Sequence, residues 1–219
     1  MNVYKNNSTD AAYNLALEDK IFEEYNSDEE FFMLWRNAKA VIVGKNQVIE
    51  NEVDLEFAKE HGISIVRRKT GGGAVYHDLG NVNYTYISKN IDEFGNFLVF
   101  AQPVIDFLQS KGVDARHIGK NDVGIFDGTM DRKISGTAQR VKGDYILHHG
   151  TLMFDVDISV LEKVLTPDPS KFIDKGIKSV RSRVCNISEY LPITREEFWQ
   201  EICTHFGATK EISEFFSNN

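Results

Sequence analysis

What this chain lacks narrows its possibilities before any motif is found. Only two residues are cysteine, Cys185 and Cys203, with no CxxC spacing and no histidine at metal-ligand spacing. Neither a disulfide framework nor a zinc site is indicated, and buried, reduced thiols are expected. No apolar run approaches the roughly 18 residues of a membrane span, and the opening MNVYKNNSTD does not show the charged-then-apolar order of a secretory signal. The expectation is a cytoplasmic protein with no membrane contact. Positive charge is scarce as well: 25 Lys and Arg against 33 Asp and Glu leave a formal charge of -8, which excludes a broad basic face for nucleic acid. An anionic ligand must then be met by local cations and backbone donors. RRK at 67–69 and DRK at 131–133 offer them.

What is present suffices for one well-packed domain, with 42% hydrophobic residues over 219 positions and neither a repeat nor a low-complexity linker. Residues 10–25 put Leu15, Ile21, Phe22 and Tyr25 near one helical face behind Asp10 as N-cap. EFFMLWR and KAVIVGK read as short strands around a turn at Asn37, and EVDLEFAKEHG as a helix stopped by Gly62. ISIVRR and NVNYTYIS read as strands, 99–111 as a helix, and the stretch from Asp122 to Asp157 as an antiparallel meander cut by Asp-Gly and Lys-Gly turns. Helices near 158–165 and over TREEFWQEICTHF follow, while ATKEISEFFSNN has little pattern. The fold class is α/β of the α+β type, with mixed, largely antiparallel sheets packed with helices.

The unusual stretch is RRKTGGGAVYHD at 67–78. It has neither the GK[ST] ending of a P-loop nor the GxGxxG spacing of a dinucleotide fold. Without Cβ atoms, its backbone N–H groups can approach a ligand closely, and such concave runs suit anions. Arg67 and Arg68 are strand neighbours and face opposite ways, so both should not address one pocket. Lys133 lies on a strand between Asp122 on the preceding strand and HHGT at 148–151 on the following one. Together these make a lysine, a carboxylate and a His-Gly-Thr turn beside an anion loop, a layout suited to phosphate esters. Lys133 would neutralise developing charge; Asp122 would orient it or meet a hard cation such as Mg2+.

These segments resemble the lipoate-protein ligase A family, within the wider biotin and lipoate ligase fold. The resemblance rests on RRKTGGGAVYHDLGNVNYTYI (67–87), GKND (119–122), DRKISGTAQR (131–140), HHGTLMFDVD (148–157) and KGIKSVRSRVCNISEYLP (175–192), with YNLALE (13–18) and LWRN (34–37). It runs in order over nearly the whole chain. It implies a catalytic domain that activates lipoate with ATP and Mg2+ to lipoyl-AMP. The lipoyl group then passes to one lysine of a lipoyl carrier domain, in the E2 subunits of 2-oxoacid dehydrogenases or the glycine cleavage H protein.

The site roles it implies are a catalytic Lys133, which also touches acyl group and phosphate; Arg67, Gly71, Gly72, Gly73, Trp35, Val75 and His149 at lipoate; and Arg68, Gly73, Ala74, Val75, Tyr76, Asn121, Asp122 and Thr151 at the nucleotide, with Asp122 at the metal. An apolar tunnel follows from the substrate, since about five methylenes at ~0.8 kcal/mol each contribute ~4 kcal/mol; Trp35, Val43, Val75 and Tyr84 are candidates to line it. Lys133 is also expected to help the carrier lysine lose its proton, because only about one such amine in a thousand is neutral at pH 7.

Two alternatives stand beside this reading: a lipoyl or octanoyl transferase working from a preformed adenylate or acyl carrier, and a non-catalytic lipoate- or nucleotide-binding module. A thiolate-dependent transferase is disfavoured because neither cysteine lies in the loops around the glycine motif or the lysine strand. Biotin is disfavoured because the arginine-glycine loop is patterned differently. Relatives commonly continue into a small carboxyl-terminal domain, so residues from about 207 are expected to be a tail or the start of such a unit, and an accessory chain is a candidate partner. The basic KGIKSVRSRV, with Lys178, Arg181 and Arg183, is either a solvated loop or a segment that closes over the adenylate.

Overall fold

A computed structural model describes residues 1–166 and 184–217. An eight-stranded sheet and a three-stranded sheet carry the fold. Inside the large sheet lies β2 (Phe31–Trp35), all five of whose residues are buried because both faces are covered. On one side lie β1 (Asn2–Asn6), parallel to β2, and β11 (Lys210–Glu211), parallel to β1. On the other come β6 (Asn81–Ser88), β10 (Tyr145–Met153), β9 (Asp131–Lys142), β8 (Asp122–Phe126) and β7 (Ala115–Ile118), each antiparallel to its neighbour. The expected meander is thus the outer half of a mixed, mostly antiparallel sheet.

The small sheet has β3 (Ala40–Val43) at its centre, with β4 (Ser64–Arg67) parallel and β5 (Val75–His77) antiparallel. The two strands around Asn37 therefore do not form a hairpin: β2 enters the large sheet and β3 the small one. Both are wholly buried, and a turn motif alone cannot say which sheet will cover each. The glycine segment joins β4 to β5 across β3.

Helix α1 (Ala11–Glu24) is capped by Asp10, whose carboxylate accepts from the Tyr13 N–H. It packs Leu15, Leu17, Ile21 and Phe22 into a core with Phe31, Met33, Trp35 and Ile42 from the two sheets. The helix expected over 52–62 is present in shorter form as α3 (Leu55–Glu60), which starts behind Asp54 as N-cap; a separate short helix, α2 (Ile49–Glu52), precedes it and ends where Val53 bridges Leu165. Helix α4 (Phe97–Ser110) covers the outer half of the large sheet, α5 (Ile158–Val164) the small sheet, and α6 (Arg195–Phe206) packs Phe198, Ile202 and Cys203 into the same core as α4. A Thr194/Glu197 capping box opens α6 and Gly207, at φ 69°, closes it.

The weakly patterned tail is ordered by pairing rather than by periodicity. β11 adds to the sheet edge, Ile212 is buried, and Phe215, on α7 (Ser213–Ser217), packs on Tyr4 and Phe31. Among the described residues no helix is long and apolar enough to cross a membrane. Lys178, Arg181 and Arg183 lie outside the described residues.

Candidate active site

Where the two sheets meet, a cleft of about 390 Å³ opens. One wall is the glycine segment, held by Arg68. This residue is only 8% exposed. Its Nη2 donates to the carbonyls of Gly71 and Gly73 at 2.7 and 2.8 Å, its Nη1 to Ile42 at 3.0 Å, and its Nε to Thr70 Oγ1 at 3.0 Å. Burial pulls its pKa down to about 10, with Glu18 partly opposing, so it stays cationic at neutral pH. In a trans peptide, the N–H following a carbonyl points the opposite way. By gathering the Gly71 and Gly73 carbonyls, Arg68 therefore turns the N–H groups of Gly72 and Ala74 away from itself, leaving donors for an anion.

The three glycines serve different needs. Gly72 has φ 95°, a conformation that side-chain-bearing residues rarely adopt, and its carbonyl lies 2.1 Å from where a Cβ on Gly44 would sit. At Gly71 and Gly73 an added Cβ would meet nothing within 4 Å. Gly72 is thus required by backbone geometry, whereas Gly73, which lines the cleft, keeps space clear for a ligand.

The opposite wall carries Lys133 on β9 and Asp122 on β8. Their side chains are 24% and 15% exposed, and Nζ lies 2.7 Å from Oδ1. Register alone does not place them side by side, since Asp122 pairs with Gly136 and the β8–β9 ladder shifts at Val123/Gly124. That shift and the missing side chain at Gly136 give Lys133 its room: a Cβ there would stand 2.9 Å from Nζ. Thr151 Oγ1 accepts from the Gly136 N–H at 3.2 Å, and the Asn121 side chain donates to the Thr137 carbonyl at 2.7 Å, fixing the strand ends around the pair.

The far end is built on α1, β2, β3 and β5. Leu15, Trp35, Ile42 and Val75 line it, backed by a chain of buried hydrogen bonds. Trp35 Nε1 donates to Thr85 Oγ1 (2.9 Å), Thr85 donates to Glu18 (2.5 Å), Glu18 meets His149 Nδ1 (3.0 Å), and His149 Nε2 meets Thr70 Oγ1 (2.8 Å), which also receives Arg68. Burial pushes the Glu18 carboxyl upward, but its His149 and Thr85 contacts outweigh this and the net shift is downward. This network ties the far end of the cleft to the glycine segment.

Of the residues singled out from sequence, the cleft brings together Trp35, Arg68, Gly72, Gly73, Ala74, Val75, Asn121, Asp122, Lys133, His149 and Thr151. Arg67 lies outside it: exposed, it donates to the carbonyls of Gly44, Lys45 and Gln47 and braces the turn after β3. Tyr76 points to the other side of β5, into the core with Val41 and Val53. Gly71 contributes its carbonyl to Arg68 and does not line the cleft. Val43 and Tyr84, candidates for the tunnel, are core residues, with Tyr84 beneath Gly150. One expectation about cysteine is corrected. Cys185 does lie beside the lysine strand, its N–H donating to the Lys133 carbonyl at 3.1 Å, but it is fully buried and burial pushes its thiol up to about 11.

Sequence reasoning missed Glu18, Glu52, Thr70, His77, Asn83 and Gly136. One signal was available: Asn14 and Glu18 lie one turn apart on the otherwise apolar face of α1, and polar residues in that position need buried partners.

Fold and cleft together define a catalytic-type α/β domain with a long pocket, apolar at one end and cationic at the other. The chain belongs to the lipoyl protein ligase A/B catalytic domain family, whose model matches residues 10–207. Lipoate-protein ligase LplJ of Bacillus subtilis is 42% identical over 94% of this chain, which spans 62% of that protein. The chain thus covers about three fifths of the length of such a curated relative. A bi-partite lipoate protein ligase of Thermoplasma acidophilum, studied with its E2 lipoyl domain, superposes with a TM-score of 0.80 at 32% identity, covering 93% of this chain and 80% of that one. A lipoate-protein ligase A bound with ATP superposes with a TM-score of 0.78 at 28% identity, covering 94% and 84%.

Proposed function

We propose that this chain is the catalytic domain of an ATP-dependent lipoate-protein ligase, with residues 1–219 forming one unit. The observation that carries the reading is the meeting, in one cleft of about 390 Å³, of the Lys133–Asp122 pair, the Arg68-braced glycine segment and an apolar lining of Leu15, Trp35, Ile42 and Val75. The names of the relatives, one of them holding ATP, support the same chemistry.

In the first half-reaction a carboxylate oxygen of lipoate attacks the α-phosphorus of ATP and pyrophosphate leaves, giving lipoyl-AMP. Lys133 balances charge on the acyl carbonyl and phosphate, and the N–H groups of the glycine segment hold the phosphate oxygens. In the second, the ε-amine of a carrier lysine attacks the acyl carbonyl, AMP leaves with the bonding electrons, and the amine proton passes to solvent. The positive charge of Lys133 lowers the basicity of the incoming amine. Val75, Trp35 and His149 border the acyl chain, and Ala74, Asn121, Asp122 and Thr151 the nucleotide. Asp122, beside Lys133, would be the carboxylate that holds a Mg2+, which would supply charge neutralisation for the departing pyrophosphate. The carriers are lipoyl domains of the E2 and glycine cleavage H protein type, and the setting is the cytoplasm, where ATP is the co-substrate.

The test has two parts: pyrophosphate release from ATP and lipoate, and acyl transfer from supplied lipoyl-AMP to a lipoyl domain. Both are expected. Transfer without pyrophosphate release would favour the transferase reading instead, and binding with neither step the non-catalytic one. Intact-mass measurement after incubation with lipoyl-AMP should show no acyl-cysteine.

A further inference from the structure

Two buried donors in the cleft have no partner among the described residues. His77, 3% exposed, has no partner for Nε2, and Asn83, 2% exposed, none for Nδ2. Both residues line the cleft. Both lie beside Trp35: Asn83 sits on β6 between its register partners Trp35 and Thr151, and His77 is bonded to Asn37, two residues beyond Trp35.

Hydrogen-bond direction fixes what His77 offers. Asn6 Nδ2 donates to Asn14 Oδ1, and Asn14 Nδ2 donates to Asn37 Oδ1, each at 2.9 Å. The Asn37 amide therefore has its nitrogen left for His77 Nδ1, 3.1 Å away, and that ring nitrogen must accept. The single proton of the neutral ring then sits on Nε2. Burial, followed by the charges of Arg68 and His149, lowers this histidine to about 3 and keeps it neutral at working pH. At Asn83 the Oδ1 accepts from Asn81 Nδ2 at 2.9 Å, which leaves the Asn83 Nδ2 over; Asn81 Oδ1 is likewise without a partner among the described residues, so this direction is set by the pair itself rather than by a wider network.

We propose that His77 Nε2–H and Asn83 Nδ2–H are the specificity-determining donors of the acyl site, which select a sulfur-bearing acyl tail over a plain hydrocarbon one. A ring sulfur is a weak but polarisable acceptor, and it meets these donors where a methylene leaves them desolvated and unpaired. A site that hydrogen-bonds its substrate rejects the analogue lacking the acceptor far more strongly than an apolar pocket rejects a change in size. The inference rests on the lipoate reading above and adds the residues that distinguish lipoate from a fatty acid.

The experiment measures calorimetric binding of lipoate and of its carbocyclic analogue, in which both ring sulfurs are replaced by methylene, to the full chain and to Asn83→Leu and His77→Phe. The intact protein should prefer lipoate by roughly 10–100-fold. Either variant should shrink that ratio at least threefold, mainly by tightening the analogue. Each variant stands as a separate test, with its thermal midpoint taken first. Equal affinity of the intact protein for the two acids, or an unchanged ratio in a folded variant, overturns the inference alone. Failure of the intact protein to bind either acid, with or without ATP, overturns the ligase reading and the inference with it.

Discussion

Replacing Gly136 by alanine should damage catalysis while sparing the fold, and replacing Gly150 should do the reverse. At Gly136 the new Cβ would stand 2.9 Å from Lys133 Nζ, 3.2 Å from Cε and 3.7 Å from Asp122 Oδ1. The atoms it crowds are the far end of a flexible side chain, so the ammonium moves and the backbone does not. Gly136 is not among the positive-φ glycines, and alanine there lowers the entropy of the unfolded chain by about 0.4–1 kcal/mol, which offsets the crowding. A misplacement of roughly 1 Å at a reacting centre costs about 100-fold. The kcat/KM for pyrophosphate release should accordingly fall about 30–100-fold, near 2–3 kcal/mol of transition-state stabilisation, with the thermal midpoint within about 3 °C of the parent.

At Gly150 the Cβ would lie 2.4 Å from the Tyr84 hydroxyl and 2.5 Å from the ring carbon bearing it. That ring is 1% exposed and stacks near Phe32 and His148, so it cannot withdraw. Overpacking of this kind costs about 2–3 kcal/mol, or roughly 5–10 °C in a domain of this size. Wild-type turnover in Gly136→Ala, or a loss of stability matching that of Gly150→Ala, would refute the argument that Gly136 exists to make room for Lys133.

Lys133→Ala should leave the thermal midpoint within a few degrees and abolish both half-reactions; arginine should not rescue it, because a planar fork cannot replace a point charge beside Asp122. Asp122→Asn should lower kcat about 10–100-fold by loosening the ammonium, measured as pyrophosphate release at saturating ATP and lipoate. His148 gives a pH prediction. Burial lowers it to about 3 against 6.5 in the unfolded chain, so below pH 6.5 the unfolded state binds the proton first and stability falls as pH falls. The cost is about 1.4 kcal/mol per pH unit, or ~2 kcal/mol between pH 7 and 5. His148→Phe, stacked on Phe100, should remove about that much of the acid-induced loss in urea titrations at the two pH values.

The local elements were legible because each has a local cause. Asp10 before an apolar period, the Thr194/Glu197 box and Gly207 mark helix ends, and the Lys-Gly turn at 142–143 joins β9 to β10 as expected. The tail after Gly207 was illegible because its strand is two residues long and is stabilised by β1, some 200 positions away in sequence. The separation of β2 from β3 into different sheets was hidden for a similar reason: two wholly apolar strands carry no period to say which face meets which layer.

The same division runs through the candidate site. Residue chemistry determined that RRKTGGGAVYHD and Lys133 belong to an anion-handling loop and a charged strand, and the ordered motifs determined the family. Only the tertiary structure decided which arginine serves, since alternation along β4 says that Arg67 and Arg68 diverge but not which one meets the cleft. It also decided that Gly136 clears space for Lys133, that Glu18 on a helix reaches His149 on β10, and that His77 and Asn83 present donors unpaired among the described residues. Each of these depends on distances between segments far apart in the chain, and those distances follow from packing two sheets against α1 rather than from any local pattern.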